Sequence, residues 1–125
     1  MTFSRDIWLA AACVFGAVTV AAGAFGAHAL DARLDDGDLE IWHTGARYLG
    51  FATVGLLAVS WRHGHSPGGL VRAAGVAQLA GGVIFAGSLW TLALTGIGWL
   101  GAITPIGGVG MITGWVLLAV AALKR

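Results

Sequence analysis

The chain has 125 residues, of which 58% are hydrophobic and 21 are glycine, while only 10% carry charge. Ordinary soluble domains hold about 25% charged residues, and a small domain exposes much of its surface, so a chain this poor in charge belongs in a membrane. A net charge of +1 leaves no basic footprint for nucleic acid, one cysteine excludes an internal disulfide framework, and no Pro- or Ser-rich linker divides the chain into domains.

A hydrocarbon core of about 30 Å asks for about 20 consecutive apolar residues in helical form, because each backbone amide must find its partner within the segment. Four stretches meet that demand. The first runs from Ile7 to Leu30 without a charge, and the second from about Thr44 to Trp61, with Arg47 near its start. The third runs from about Ala73 to Leu94, and the fourth from Pro105 to Leu123, with the proline in a first turn that tolerates it. The second is the shortest and spans only if Arg47 snorkels its guanidinium to the headgroups. Ala27-His28-Ala29 resembles a signal-peptidase site, but the apolar run before it is longer than a signal peptide needs, so the first stretch is expected to stay as a helix. The fold class expected is an all-α, single-domain bundle of four transmembrane helices over residues 1–125.

Charge sorts the connections. Arg5, Arg62, Arg72, Lys124 and Arg125 fall on one side of a four-span arrangement, and the 31–47 segment on the other side holds Asp31, Asp35, Asp36, Asp38 and Glu40 with Arg33 and Arg47. The positive-inside rule then places both termini in the cytoplasm. Trp8 and Trp61 are expected at the inner interface and Trp42 and Trp99 at the outer one, as an aromatic belt.

Lipid gives helices no hydrophobic reason to associate, so small residues must let backbones approach. Gly16, Gly23 and Gly26 on the first helix, Gly81 on the third, and Gly107, Gly110 and Gly114 on the fourth are the candidates for helix packing. Gln78, Gly81, Phe85, Ser88, Leu92 and Thr95 form one stripe of the third helix, which points their polar atoms into the bundle.

Ionisable residues at membrane depth are rare and therefore informative. His28 lies near the outer end of the first span, and His43, Arg47 and Tyr48 fall on the same side, so an outward-facing polar cluster is the candidate site. Three roles stay open for it: tying the loop to the helix ends, handling a proton or small solute, or holding a metal through His28, His43 and a carboxylate. The spacing contains no tight His-x-x-His or Glu-x-x-His pair, and no metal site is assigned. His63 and His65 lie in a turn-like segment, and Cys13 reads as a small hydrophobe. No nucleophile elbow, P-loop or dinucleotide fingerprint is present, so no catalytic residue and no cofactor are assigned.

Gly23-Ala-Phe-Gly-Ala-His-Ala-Leu30, Thr44-Gly45 with Tyr48, Phe85-Ala-Gly-Ser-Leu-Trp90, Thr104-Pro-Ile-Gly-Gly108 and Gly114-Trp115 follow one another in an order and spacing that resembles the YgdD-like family of small bacterial membrane proteins. The resemblance covers nearly the whole chain. It implies a four-helix inner-membrane protein with eukaryotic relatives and no assigned activity. Two departures stand out: Ala52 occupies the place of the family's histidine four residues after the tyrosine, and Trp90 replaces its tyrosine. His28, Arg47 and Tyr48, with Thr104 as a hydroxyl partner, remain the residues on which a shared site would rest.

The role expected is that of a non-enzymatic accessory or assembly protein of the bacterial inner membrane. It would pack against lipid and against a larger membrane complex or further copies of itself, with no nucleic-acid partner. A small transporter or channel for protons or a small solute, built around His28, is the second reading.

Overall fold

The computed structural model describes residues 5–124. Residues 1–4 and Arg125, one of the basic residues assigned above to the cytoplasmic side, lie outside the described residues. Among the described residues, every long element is a helix.

Helix α1 covers Ile7–Phe25 and runs on without a break into a π-helical turn, Gly26–Leu30. The Asp6 carboxylate opens it by accepting the Leu9 N–H at 2.9 Å. Helix α2 covers Asp36–His65, with Asp35 capping it by accepting the Asp38 N–H at 2.7 Å. Asp36 and Asp38 in its first turn and Arg62, His63 and His65 in its last both suit the helix dipole. Helix α3, Gly69–Thr95, stops at Gly96, whose φ of 72° closes the left-handed cap and returns its N–H to the Leu92 carbonyl. A 3-10 segment, Gly98–Ala102, leads into α4, Thr104–Leu123, with Pro105 in its first turn.

Three continuous helical stretches are long and apolar enough to cross a membrane: Ile7–Leu30, Gly69–Thr95 and Gly98–Leu123. Helix α2 begins at Asp36 rather than at Thr44, so the acidic segment expected to be a loop is its opening turns. At about 1.5 Å per residue its 30 residues reach about 45 Å, well beyond a hydrocarbon core. Those charged turns, with Arg47 and Tyr48, leave it less apolar than the other three.

Neighbouring helices pack in chain order, α1 on α2, α2 on α3 and α3 on α4, with a smaller meeting of α2 and α4. The seams follow heptad-like spacing. On α2 the buried residues include Trp42, Gly45, Leu49, Ala52, Leu56 and Val59, and on α4 they are Thr104, Gly107, Met111, Gly114, Leu118 and Ala121. Alternating steps of three and four residues keep one stripe on a helix facing its neighbour.

Three apolar clusters run along the bundle. Ala22, Leu30, Trp42, Ala46 and Ala93 fill the end where α2 begins, Phe15, Leu49, Ala52, Leu56, Ala86 and Met111 the middle, and Val59, Val71, Ala74, Leu118 and Ala121 the far end. The outward positions of α1 and α4 are large and apolar as well: Val20 is 72% exposed and Ile106, Val109 and Ile112 are each about two-thirds exposed. That is the surface of a protein whose solvent is lipid.

The start of α1, the end of α2, the start of α3 and the end of α4 meet at one end of the bundle. Ser60 of α2 donates to Asp6 at 2.8 Å, Arg62 donates to the Ala121 carbonyl at 2.8 Å, and Trp8 packs over Gly75. Arg5, Arg62, Arg72 and Lys124 thus share this basic end, and Asp31, Asp35, Asp36, Asp38 and Glu40 lie toward the opposite, acidic end.

The aromatic belt needs one correction. Trp61 and Trp99 are 64% and 66% exposed, but Trp42 is only 7% exposed and belongs to the core. Because α2 starts earlier than expected, Trp42 sits two turns inside the helix and faces α1 and α3 instead of the interface.

Candidate functional site

The polar residues inside the bundle are spent on joining helices. Trp42 donates its indole N–H to the Ala22 carbonyl of α1 at 2.8 Å, and Trp90 of α3 donates its own to the Trp42 carbonyl of α2 at 3.1 Å. The two rings lie 5.3 Å apart. Glycine makes the room: a Cβ at Gly26 would stand 2.7 Å from Trp42, and one at Gly45 would stand 2.7 Å from Trp90. The π-turn begins at Gly26, one turn beyond Ala22, whose carbonyl receives the Trp42 N–H.

Gln78 is fully buried on α3, clamped between Gly55 of α2 and Gly114 of α4, where a Cβ would come within 2.6 Å and 2.8 Å of its side chain. With its amide oxygen turned toward α4 it accepts from the Trp115 indole N–H at 3.3 Å. Nearer the acidic end Ser88 and Thr104 share a hydrogen bond of 2.6 Å, and Ser88 also donates to the Phe85 carbonyl at 3.1 Å. Between these two contacts the α3 and α4 backbones touch. A Cβ at Gly107 would stand 2.5 Å from the Phe85 amide nitrogen, and one at Gly81 would stand 2.7 Å from the Met111 amide nitrogen.

Each of the five candidate site residues has its own surroundings in the structure. His28 is exposed on the π-turn. His43 is half-buried against Gly26. Arg47 is exposed and lies 3.9 Å from Glu40, a surface pair worth little in water. Tyr48 points to another face of α2, with its ring 5.1 Å from Phe85 and 5.6 Å from Phe51. Thr104 is buried with Ser88. Among the described residues no three His, Cys, Asp or Glu side chains gather closely enough to hold a metal ion.

The candidate packing glycines divide similarly. Gly26, Gly81, Gly107 and Gly114 are at close approaches, a Cβ at Gly110 would stand 3.1 Å from the Gly81 Cα, and one at Gly16 would meet Thr53 at ordinary contact distance, 3.4 Å. Gly23 does not pack: a Cβ there would meet nothing within 4 Å. Gly45, Gly55 and Gly75, not singled out from the sequence, are as tightly packed as any. Gly45 was signalled by the three-and-four spacing of Trp42, Gly45, Leu49, Ala52, Leu56 and Val59, a stripe that includes neither Gly55 nor Gly75.

Tyr48 opens a different feature. With Thr44, Phe51, Phe85, Gly108, Met111, Ile112 and Trp115 it lines an apolar groove of about 630 Å³ between α2 and α4, over α3. At the basic end Arg62 holds the end of α4 through the Ala121 carbonyl, and a cleft of about 310 Å³ opens among the starts of α1 and α3 and the end of α2. In that cleft the Asp6 carboxyl is held below its ordinary value, chiefly by the Leu9 N–H and then by the Ser60 hydroxyl, with His63 adding a favourable charge.

The chain has relatives in bacteria and yeast. Residues 22–108 match a family described as a protein of unknown function, DUF423. UPF0382 membrane protein YwdK of Bacillus subtilis is 40% identical over 86% of this chain and 88% of its own length. UPF0382 membrane protein C1782.12c of Schizosaccharomyces pombe is 37% identical over 91% of this chain and 98% of its own. UPF0382 inner membrane protein YgdD of Escherichia coli is 33% identical over 90% and 86%. No solved structure matches the chain. A family model that spans most of the chain, and relatives that it covers almost end to end, make this protein a member of the DUF423/UPF0382 family of membrane proteins, whose activity is unknown.

Proposed function

We propose that the chain is a non-enzymatic accessory or assembly protein of the bacterial inner membrane, crossing it four times with both termini in the cytoplasm. The Escherichia coli relative is named an inner membrane protein, which supports the compartment. Arg5, Arg62, Arg72 and Lys124 at one end of the bundle support the orientation through the positive-inside rule. Helix α2 serves as the fourth span through its stretch from Thr44 to Trp61, with its acidic turns standing outside the hydrocarbon.

The observation that carries the reading is the contrast between interior and exterior. Trp42, Trp90, Gln78, Ser88 and Thr104 are committed to partners inside the chain, so the polar groups at membrane depth serve cohesion. What the molecule offers its surroundings is the apolar groove over Phe85, bordered by Tyr48, Ile112 and Trp115. The partner is a larger membrane complex whose transmembrane helix lays apolar side chains into that groove.

Gentle extraction of the tagged protein from its native membrane, followed by mass spectrometry, tests this. A stoichiometric membrane partner that is lost on Ile112→Arg is the expected result. Recovery of the chain alone would overturn it.

A further inference from the structure

The cleft at the basic end is built differently from the groove. Arg5, Asp6, Trp8, Ser60, His63 and Arg72 line it, drawn from the starts of α1 and α3 and the last turns of α2. Both α1 and α3 belong to stretches long and apolar enough to cross a membrane, so the cleft lies at the level where lipid headgroups sit. Its one carboxylate is already engaged: Asp6 accepts from Leu9 N–H and from the Ser60 hydroxyl. Among the described residues neither Arg5 nor Arg72 forms an ion pair, and the pair that does form, Arg47 with Glu40, is toward the other end. Trp8, packed over Gly75, gives the cleft an apolar floor.

Two guanidiniums with ten N–H donors between them, a histidine and an aromatic floor at headgroup depth make a receptor for a phosphodiester with an acyl chain below it. We propose that this cleft binds the phosphate headgroup of an anionic phospholipid from the surrounding leaflet, with Arg5 and Arg72 as the phosphate-holding pair. With the Asp6 carboxylate counted, the two arginines still leave the cleft a net positive charge, which favours an anionic headgroup. The proposal stands independently of any protein partner.

The test uses the purified full chain in a neutral detergent, with binding of phosphatidylglycerol, phosphatidylcholine and inorganic phosphate followed by native mass spectrometry. A basic residue near an anionic surface contributes roughly fivefold in affinity, so the double variant Arg5→Gln/Arg72→Gln is expected to lose roughly thirtyfold for phosphatidylglycerol. Arg33→Gln, which removes a charge near the opposite end, is expected to lose nothing. Phosphatidylcholine should bind weakly and equally to all three proteins. The proposal is overturned if the double variant keeps the parent affinity, if Arg33→Gln weakens binding as much, or if phosphatidylcholine binds as tightly as phosphatidylglycerol. Inorganic phosphate that binds as tightly as the lipid would assign the cleft to the free ion and overturn the lipid assignment.

Discussion

Trp90 donates its indole N–H to the main-chain carbonyl of Trp42 at 3.1 Å, with the two rings 5.3 Å apart, so one tryptophan pair ties three helices through Ala22, Trp42 and Trp90. Each link joins a side chain of one helix to the backbone of the helix before it, which fixes the helices in register as well as in contact.

Replacing Trp42 with Phe keeps an aromatic ring but removes the donor to Ala22, and we expect a loss of about 1–2 kcal/mol in stability, from one buried hydrogen bond and partial loss of packing. Gly45→Ala should do comparable damage with both tryptophans left in place, because its Cβ would stand 2.7 Å from the Trp90 indole nitrogen. Unfolding in mixed detergent, followed by tryptophan fluorescence, reads both; a Gly45→Ala protein as stable as the parent would contradict the packing described.

The meeting of α3 and α4 at Gly81 and Gly107 is backbone on backbone, so nothing flexible can yield. Gly107→Ala is expected to destabilise by about 1–3 kcal/mol, the range for overpacking a filled interior. Gly87→Ala, where a Cβ meets nothing within 4 Å, should be neutral or stabilising by up to about 1 kcal/mol through helix propensity. Thermal shift in detergent separates the two, and equal effects would show that the helices are not in contact there.

Ser88 and Thr104 form a buried hydroxyl pair at 2.6 Å. Hydrogen bonds between transmembrane helices couple by about 0.6 kcal/mol on average, so Ser88→Ala and Thr104→Val should be non-additive by about that amount in a double-mutant cycle. Full additivity would mean that each hydroxyl is satisfied by its own helix alone.

Asp6 gives the protein a pH dependence. Its folded carboxyl titrates below the ordinary value of 3.8, held down first by the Leu9 N–H and then by Ser60. A group depressed in the folded state adds stability that is fully present above the unfolded value and disappears as pH falls through the folded one. The melting temperature should therefore drop below about pH 4 in the parent, and Asp6→Asn should flatten that part of the profile. Asp6 is exposed, so the effect is modest.

Much of the fold was legible in the sequence because hydropathy over twenty residues is a strong signal: α1 with its π-turn, α3 and α4 fall close to the stretches marked by length and apolarity. Helix α2 was harder. Asp36, Asp38 and Glu40 look like loop residues to a hydropathy reading, yet at a helix N-terminus they favour the dipole, and Asp35 caps the chain there. That shift carried Trp42 from the interface into the core. The site was less legible still. His28, His43, Arg47 and Tyr48 lie within one short stretch of each other along the chain and the bundle, but on a helix Arg47 and Tyr48 are about 100° apart, so adjacency sends them to different faces. Contacts across helices, such as Gln78 between Gly55 and Gly114 or Arg62 on Ala121, depend on pairings that a single sequence does not record.

In the accessory role proposed above, the groove between α2 and α4 is the face offered to a partner. A photocrosslinking amino acid placed at Ile112, whose side chain is 64% exposed at the groove, should join the chain to one defined membrane protein in living cells. The same probe at Val20, equally apolar and 72% exposed on α1, should join it to lipid alone. If Ile112 gives only lipid adducts, or if both positions capture the same range of proteins, the groove is an ordinary lipid-facing surface and the accessory role is contradicted.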